Sequence, residues 1–222
     1  MLARLRACDP SEPLGRIILY RVCRKICAVF VRVFYRLRVV GLKHAPRTGG
    51  FLLVSNHQSH LDPPLLGTAL KHRNMAALAR QGLFNSRIFG ALLRGLGSIP
   101  INQSAGDTAA IRATIAALRK GRVVLVFPEG SRSPDGELQD FKRGTWLLMS
   151  RAECLVLPAA VEGAFQVWPR TRVLPRLFGQ RCAVAFGEPI PAAKLKAMGA
   201  EEGLAHLRGV IEELRSKAKN EG

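Results

Sequence analysis

The chain has 222 residues, 48% of them apolar, which suits one α/β domain of ordinary size and gives no sign of a second. Lys and Arg number 34 against 16 Asp and Glu, a formal charge of +18, so the expected partner is anionic: membrane phospholipid, a phosphorylated substrate, an acidic carrier protein or nucleic acid. Nucleic acid falls away because only 6% of residues are aromatic and no RNA- or DNA-reading motif is present.

Half of the surplus, +9, falls in residues 1–49, where eleven basic residues face only Asp9 and Glu12. Between Gly15 and Val40 there is no acid. On a helix of 100° per residue, Arg21, Arg24, Lys25, Arg32, Arg36 and Arg38 gather in one arc, on one side of the helix. Leu19, Val22, Ile26, Phe30, Val33 and Phe34 stand in the opposite, apolar arc. That pattern predicts a helix lying in the headgroup plane of a membrane. Basic residues interrupt it too often for a spanning helix, and the early acids, with no small-residue cleavage site, argue against a cleaved signal peptide. The competing reading is a helix packed on its own domain, against which the wide cationic face weighs. Residues 1–40 are therefore read as a basic amphipathic membrane-association segment ahead of a domain spanning 41–222.

After Gly41 the pattern becomes α/β. Strands are predicted at Phe51–Ser55, Ile99–Ile101, Val123–Phe127, Leu155–Val161 and Arg181–Phe186, and helices near Pro64–Leu70, Arg87–Leu96, Asp107–Lys120 and Gly144–Arg151, with a terminal amphipathic helix from Ala200 to Lys219. Short apolar runs alternating with helical periodicity imply a single domain whose largely parallel sheet is flanked by helices. Five cysteines, Cys8, Cys23, Cys27, Cys154 and Cys182, contain no CxxC pair and read as apolar residues of a reducing compartment, without a disulfide framework.

Two stretches carry chemistry. Asn56-His57-Gln58-Ser59-His60-Leu61-Asp62 follows the first strand and precedes Pro63 and Pro64. Residues five apart on a helix are rotated about 140° from one another, so His57 and Asp62 must meet across a turn, with a helix starting near Pro63 or Pro64 and Asp62 near its cap. A carboxylate that fixes one imidazole nitrogen leaves the other to take a proton, the arrangement of a general base. A helix cap beside a loop histidine, or a metal site of His57, His60 and Asp62, are the alternatives; the other histidines supply no further ligand pattern.

The second stretch is Phe127-Pro128-Glu129-Gly130-Ser131-Arg132-Ser133, after the strand at Val123. Gly130 lets backbone N–H groups approach a ligand, and Arg132 offers paired donors to phosphate or carboxylate. Glu129 is positioned to hold that guanidinium or to bond a substrate hydroxyl. A polar turn with an ion pair is the plainer reading.

Together the two stretches resemble the lysophosphatidic acid / glycerophosphate acyltransferase family, whose NHxSxxD block matches Asn56, His57, Ser59 and Asp62 and whose FPEGTRS block matches Phe127 through Ser133 with Ser131 for Thr. Arg80, in Arg80-Gln81-Gly82-Leu83-Phe84, stands where the family usually has Lys, and Phe141-Lys142-Arg143-Gly144 looks like its FKxG element. Leu157-Pro158-Ala159-Ala160-Val161 looks like its fourth block. One departure concerns the acceptor: Gln103 stands where the family has an Arg for the acceptor phosphate, and Asn102 where it has an acid. A neutral amide cannot supply the same charge-assisted contact.

The resemblance implies transfer of a fatty acyl group from a thioester, on coenzyme A or acyl carrier protein, to the hydroxyl of a lysophospholipid, 1-acyl-glycerol 3-phosphate above all, in phospholipid biosynthesis. His57 and Asp62 would be catalytic; Arg80, Glu129, Gly130, Ser131, Arg132 and Lys142 would bind substrate; no metal or cofactor beyond the thioester is implied. A lysolipid without a phosphate head is the alternative acceptor that Gln103 raises. The basic helix would hold such an enzyme peripherally or monotopically on an anionic membrane, at the cytoplasmic face. Other chemistries are poorly supported: no G-x-S-x-G elbow and no G-x-x-x-x-G-K-[ST] loop occurs.

Overall fold

In the computed structural model, residues 11–102 and 108–221 are described. Among the described residues the first element is helix α1 (Leu14–Tyr35), followed by strand β1 (Arg38–Val40), β2 (Phe51–Ser55), α2 (Asp62–Ala69), β3 (Met75–Arg80), α3 (Arg87–Gly95) and β4 (Ile99–Ile101). Then come α4 (Thr108–Arg119), β5 (Val123–Val126), α5 (Arg143–Arg151), β6 (Leu155–Glu162), α6 (Ala164–Val167), β7 (Ala183–Phe186), β8 (Ile190–Pro191), α7 (Ala192–Ala197) and α8 (Ala200–Asn220).

The strands form one sheet in the order β1-β7-β6-β2-β5-β3-β4, with β8 added beside β6. β2 lies parallel to both β5 and β6, β3 is parallel to β5 and β4, and antiparallel pairing joins β6 to β7 and β8. The expected α/β domain with a largely parallel, helix-covered sheet is what forms. β2 shows why: all five of its residues are buried, so it reads as a continuous apolar run rather than an alternating one. Phe51 and Leu53 face a core shared with Tyr20, Tyr35 and Leu65, whereas Leu52 and Val54 face Leu118, Leu148 and Ile211 on the other side.

Three differences from the sequence reading bear on function. β3 was not predicted, because Met75-Ala76-Ala77-Leu78-Ala79-Arg80 is made of helix formers; its pairing with β5 and β4 overrides that preference. β1 lies inside the segment 1–40: Arg36 takes a left-handed conformation (φ 45°), ends α1, and lets Arg38–Val40 join β7 at the sheet edge. Helix α1 also has two apolar sides. Ile17, Tyr20, Val31 and Tyr35 are buried in the domain, while Ile18, Val22, Ile26, Val29 and Val33 form a stripe open to solvent. The helix is thus docked on its own domain and still presents apolar surface. No helix among the described residues is long and apolar enough to cross a membrane.

Candidate active site

Because β2, β3, β5 and β6 run parallel, their C-terminal ends meet on one side of the sheet, the usual place for a ligand site in such folds. His57 follows β2, Glu129 and Arg132 follow β5, Arg80 ends β3, and the turn leading to Trp168 follows β6. Gly163 makes that last turn with φ 80°, where an added Cβ would strike the carbonyl of Arg181.

The elbow after β2 is held by nearly every polar group it contains. Asn56 pairs with the backbone of Val161 on β6, its Nδ2 donating to the carbonyl at 2.9 Å and its Oδ1 accepting from the N–H at 2.8 Å. Gln58 Nε2 donates to that same carbonyl. Ser59 Oγ donates to the carbonyl of Trp168 at 2.8 Å. Asp62 is fully buried, and its Oδ2 accepts from Gln58 N, Ser59 N and His57 Nδ1, each at 2.7 Å. Its Oδ1 is buried without a hydrogen-bond partner among the described residues. Asp62 is the first residue of α2 rather than its cap, with Leu61 in the capping place and Pro63 and Pro64 in the first turn.

His57 therefore meets Asp62 across a turn, as the spacing required. Its ring stacks on Phe127, with centroids 3.8 Å apart and planes 11° from parallel. Nδ1 is committed to the carboxylate, so Nε2 is the nitrogen available for proton transfer, and the side chain remains 18% exposed. A positioned imidazole backed by a buried carboxylate is equipped to take a proton from a hydroxyl and return it to a leaving group.

Glu129 does something the sequence reading did not anticipate. Its carboxylate neither holds Arg132 nor faces the opening; it is 2% exposed and accepts the backbone N–H of His57 at 2.6 Å and of Gln139 at 3.1 Å. Ser133 N donates to the carbonyl of His57 at 2.7 Å, so the two sequence blocks are clamped through both polar groups of the His57 backbone. Burial pushes the Glu129 carboxyl up to about 7, although the two backbone donors oppose the shift.

Gly130 has φ 72°, and its N–H donates to Phe127 O at 3.1 Å, which commits that N–H to the turn. A Cβ here would meet Lys142 Cγ at 3.3 Å, so exposed Lys142 lies directly over the loop. Ser131 is exposed on the same turn.

Arg132 contacts the ring of His60, which also leans on Trp168 with centroids 4.9 Å apart. The Arg132 guanidinium is shifted below its ordinary range, first by partial burial and then by the cations of Arg80 and Arg170. Burial and the Arg132 cation likewise hold the His60 ring below its usual value. Arg80 and Arg170 thus lie close enough to act electrostatically on Arg132, which sits on His60 of the elbow, and a group of guanidiniums there suits an anion. Arg170 was missed because only the turn after β6 brings it to the site; an Arg within a basic loop gives no local signal. With Arg132 on His60, the trio His57, His60 and Asp62 does not converge as metal ligands, and no group of three or more His, Cys, Asp or Glu among the described residues is arranged to hold an ion. Gln103 lies outside the described residues; Asn102 is exposed just after β4.

A family model described as Acyltransferase matches residues 36–162, more than half of the chain and all of the elements that carry His57, Asp62, Arg80, Glu129 and Arg132. The chain belongs to the acyltransferase family. Among its relatives is the 1-acyl-sn-glycerol-3-phosphate acyltransferase of Streptococcus pneumoniae, 30% identical over 69% of this chain and 54% of that protein. The chloroplastic enzyme LPAT1 of Arabidopsis thaliana is 27% identical over 71% of the chain and 45% of its own length, so the chain spans about half of each of these two relatives. The Bacillus subtilis 1-acyl-sn-glycerol-3-phosphate acyltransferase is 22% identical but is matched over 98% of its length and 91% of this chain. In three dimensions this acyltransferase superposes on the 1-acyl-sn-glycerophosphate acyltransferase PlsC of Thermotoga maritima with a TM-score of 0.75, 26% identity, and coverage of 93% of this chain and 80% of that one.

Proposed function

We propose that this acyltransferase moves a fatty acyl group from a thioester, on coenzyme A or acyl carrier protein, to the free hydroxyl of 1-acyl-glycerol 3-phosphate in phospholipid biosynthesis, with no metal or further cofactor. The observation that carries the reading is the His57–Asp62 pair on an elbow whose His60 is contacted by Arg132, with Arg80 and Arg170 near enough to act on that guanidinium. His57 Nε2 accepts the hydroxyl proton as that oxygen attacks the thioester carbonyl carbon, and Asp62 balances the charge that appears on the ring. Collapse of the tetrahedral adduct breaks the C–S bond; the thiolate takes the proton back from Nε2, leaving an ester and a thiol. Glu129 acts through the backbone of His57 as a positioning residue. The acceptor phosphate is held by the guanidiniums, which compensates for Gln103, with Lys142 and the Gly130–Ser131 turn at the rim.

The acceptor and product carry long acyl chains, so the site must sit at a lipid surface. The exposed stripe of Ile18, Val22, Ile26, Val29 and Val33, flanked by Lys25 and Arg32, supports peripheral or monotopic attachment through the segment 1–40 to an anionic membrane, at its cytoplasmic face. Residues 41–222 would supply the catalytic domain, together with β1 at the sheet edge.

The test is direct. Purified His57→Ala protein, assayed with acyl thioester and 1-acyl-glycerol 3-phosphate, is expected to lose roughly 10²- to 10⁴-fold in kcat. Undiminished transfer would remove His57 from the chemistry.

A further inference from the structure

Between α6 and β7 the chain runs from Trp168 to Cys182 without helix or strand, and this excursion carries apolar residues that the fold does not use. Val173 is 88% exposed, Leu174 74% and Phe178 75%. Leu177 is exposed as well, and whereas single exposed apolar residues are ordinary, four large ones on one loop form a patch that water penalises. Arg172, Arg176 and Arg181 alternate with them and are exposed, and no acid occurs between Gly163 and Gly187. The loop is nonetheless anchored: Trp168 Nε1 donates to the carbonyls of Arg172 and Val173 at 3.1 and 3.2 Å, and Arg176 N donates to Val167 O at 2.9 Å.

Two contacts say what this surface is continuous with. The Phe178 ring meets Phe34 of α1 edge-on, with centroids 5.5 Å apart, and Phe34 borders the open apolar face of that helix together with Phe30 and Val33. At its root, the Trp168 carbonyl accepts Ser59 Oγ and, at 3.4 Å, the N–H of His60, so the loop begins at the elbow that holds His57.

We infer that residues 169–181 form a second membrane wedge, in which Leu174 and Phe178 enter the acyl region of an anionic phospholipid leaflet while Arg172, Arg176 and Arg181 engage its phosphates. Apolar tips interleaved with cations and free of acids match an anionic lipid interface. An acidic carrier protein would match the arginines but leave Leu174 and Phe178 uncovered. The inference rests on the membrane-surface reading above and deepens it: α1 and the loop together place the His57 opening against the leaflet, so that a lysolipid acceptor enters sideways without leaving it.

The experiment separates this from catalysis. Vesicles of phosphatidylglycerol with phosphatidylcholine are sedimented with the full-length protein and with the double variant Leu174→Asp, Phe178→Asp; transfer is then assayed on a long-chain acceptor in the vesicles and on a short-chain, water-soluble lysophosphatidate. The variant is expected to partition roughly 10- to 100-fold more weakly, to lose transfer to the vesicle acceptor in proportion, and to keep transfer to the soluble one with an unchanged melting temperature. A Phe178→Trp protein should also be quenched by brominated acyl chains. Unchanged partition with no quenching would overturn the wedge, as would equal loss on both acceptors. Intact vesicle partition with lost binding of acyl carrier protein would overturn it in favour of a protein surface. Partition and quenching need no turnover, so inactivity of the parent protein would sink the proposed reaction and leave the wedge to be decided separately.

Discussion

Replacing Asp62 by Asn separates two jobs that one carboxylate performs. Oδ2 accepts two backbone N–H groups of the elbow and the Nδ1–H of His57, while buried Oδ1 has no partner among the described residues. An Asn can place its carbonyl oxygen at the Oδ2 position and its amide nitrogen where Oδ1 stood, so all three donors keep an acceptor. What disappears is the negative charge opposite the imidazolium. At an effective dielectric of about 20, unit charges about 4 Å apart interact by about 4 kcal/mol, which corresponds to a loss of up to roughly three powers of ten in kcat. Stability should hardly move, because a buried charge with an unsatisfied oxygen is expensive and its removal offsets the burial of a new amide N–H₂; a net change of about 1 kcal/mol would shift the melting temperature by about 2–4 °C. Asp62→Ala, which also releases the turn, should lose both activity and stability. The assay is steady-state thioester consumption with lysophosphatidate, paired with thermal melts of both variants. Asp62→Asn protein that melts like the parent and retains kcat within about fivefold would refute the charge-balancing role and leave Asp62 as a turn residue.

Glu129, whose carboxyl is raised to about 7, should make stability depend on pH in an unusual direction. Its folded value lies above its unfolded one, so its contribution is fully present below about pH 4.5 and is lost as pH rises to about 7, by roughly 3 kcal/mol at most; Glu129→Gln should flatten that part of the melting-temperature profile, and an identical slope in the variant would assign the effect elsewhere. The same substitution sets an amide N–H₂ against a backbone N–H and should lower kcat through a displaced His57. Arg132→Lys keeps the charge but loses the paired donors, so the acceptor KM should rise roughly 10-fold with little change in kcat. A fall in kcat at constant KM would instead place Arg132 at the reacting carbonyl.

Local pattern determined a good deal of this protein. The buried run Phe51–Ser55 declares a central strand, the two prolines after Asp62 declare a helix start, and the spacing of His57 and Asp62 allows them to meet only across a turn. These are legible because each depends on residues close together in the chain. Partnerships between distant segments were not legible. Met75–Arg80 is a strand only because β4 and β5 lie on either side of it, and Arg38–Val40 only because β7 offers an edge. Glu129 binds the His57 backbone rather than Arg132, since the parallel register of β2 and β5 brings the two loop backbones together while the guanidinium finds His60. Arg170 reaches the site by the turn after β6, and α1 divides its apolar residues between core and solvent according to the domain it lies on. Propensity and spacing act over a few residues, whereas the charge, hydrogen-bond partners and exposure of each group at this site depend on chain segments up to 109 residues apart, as between Ser59 and Trp168.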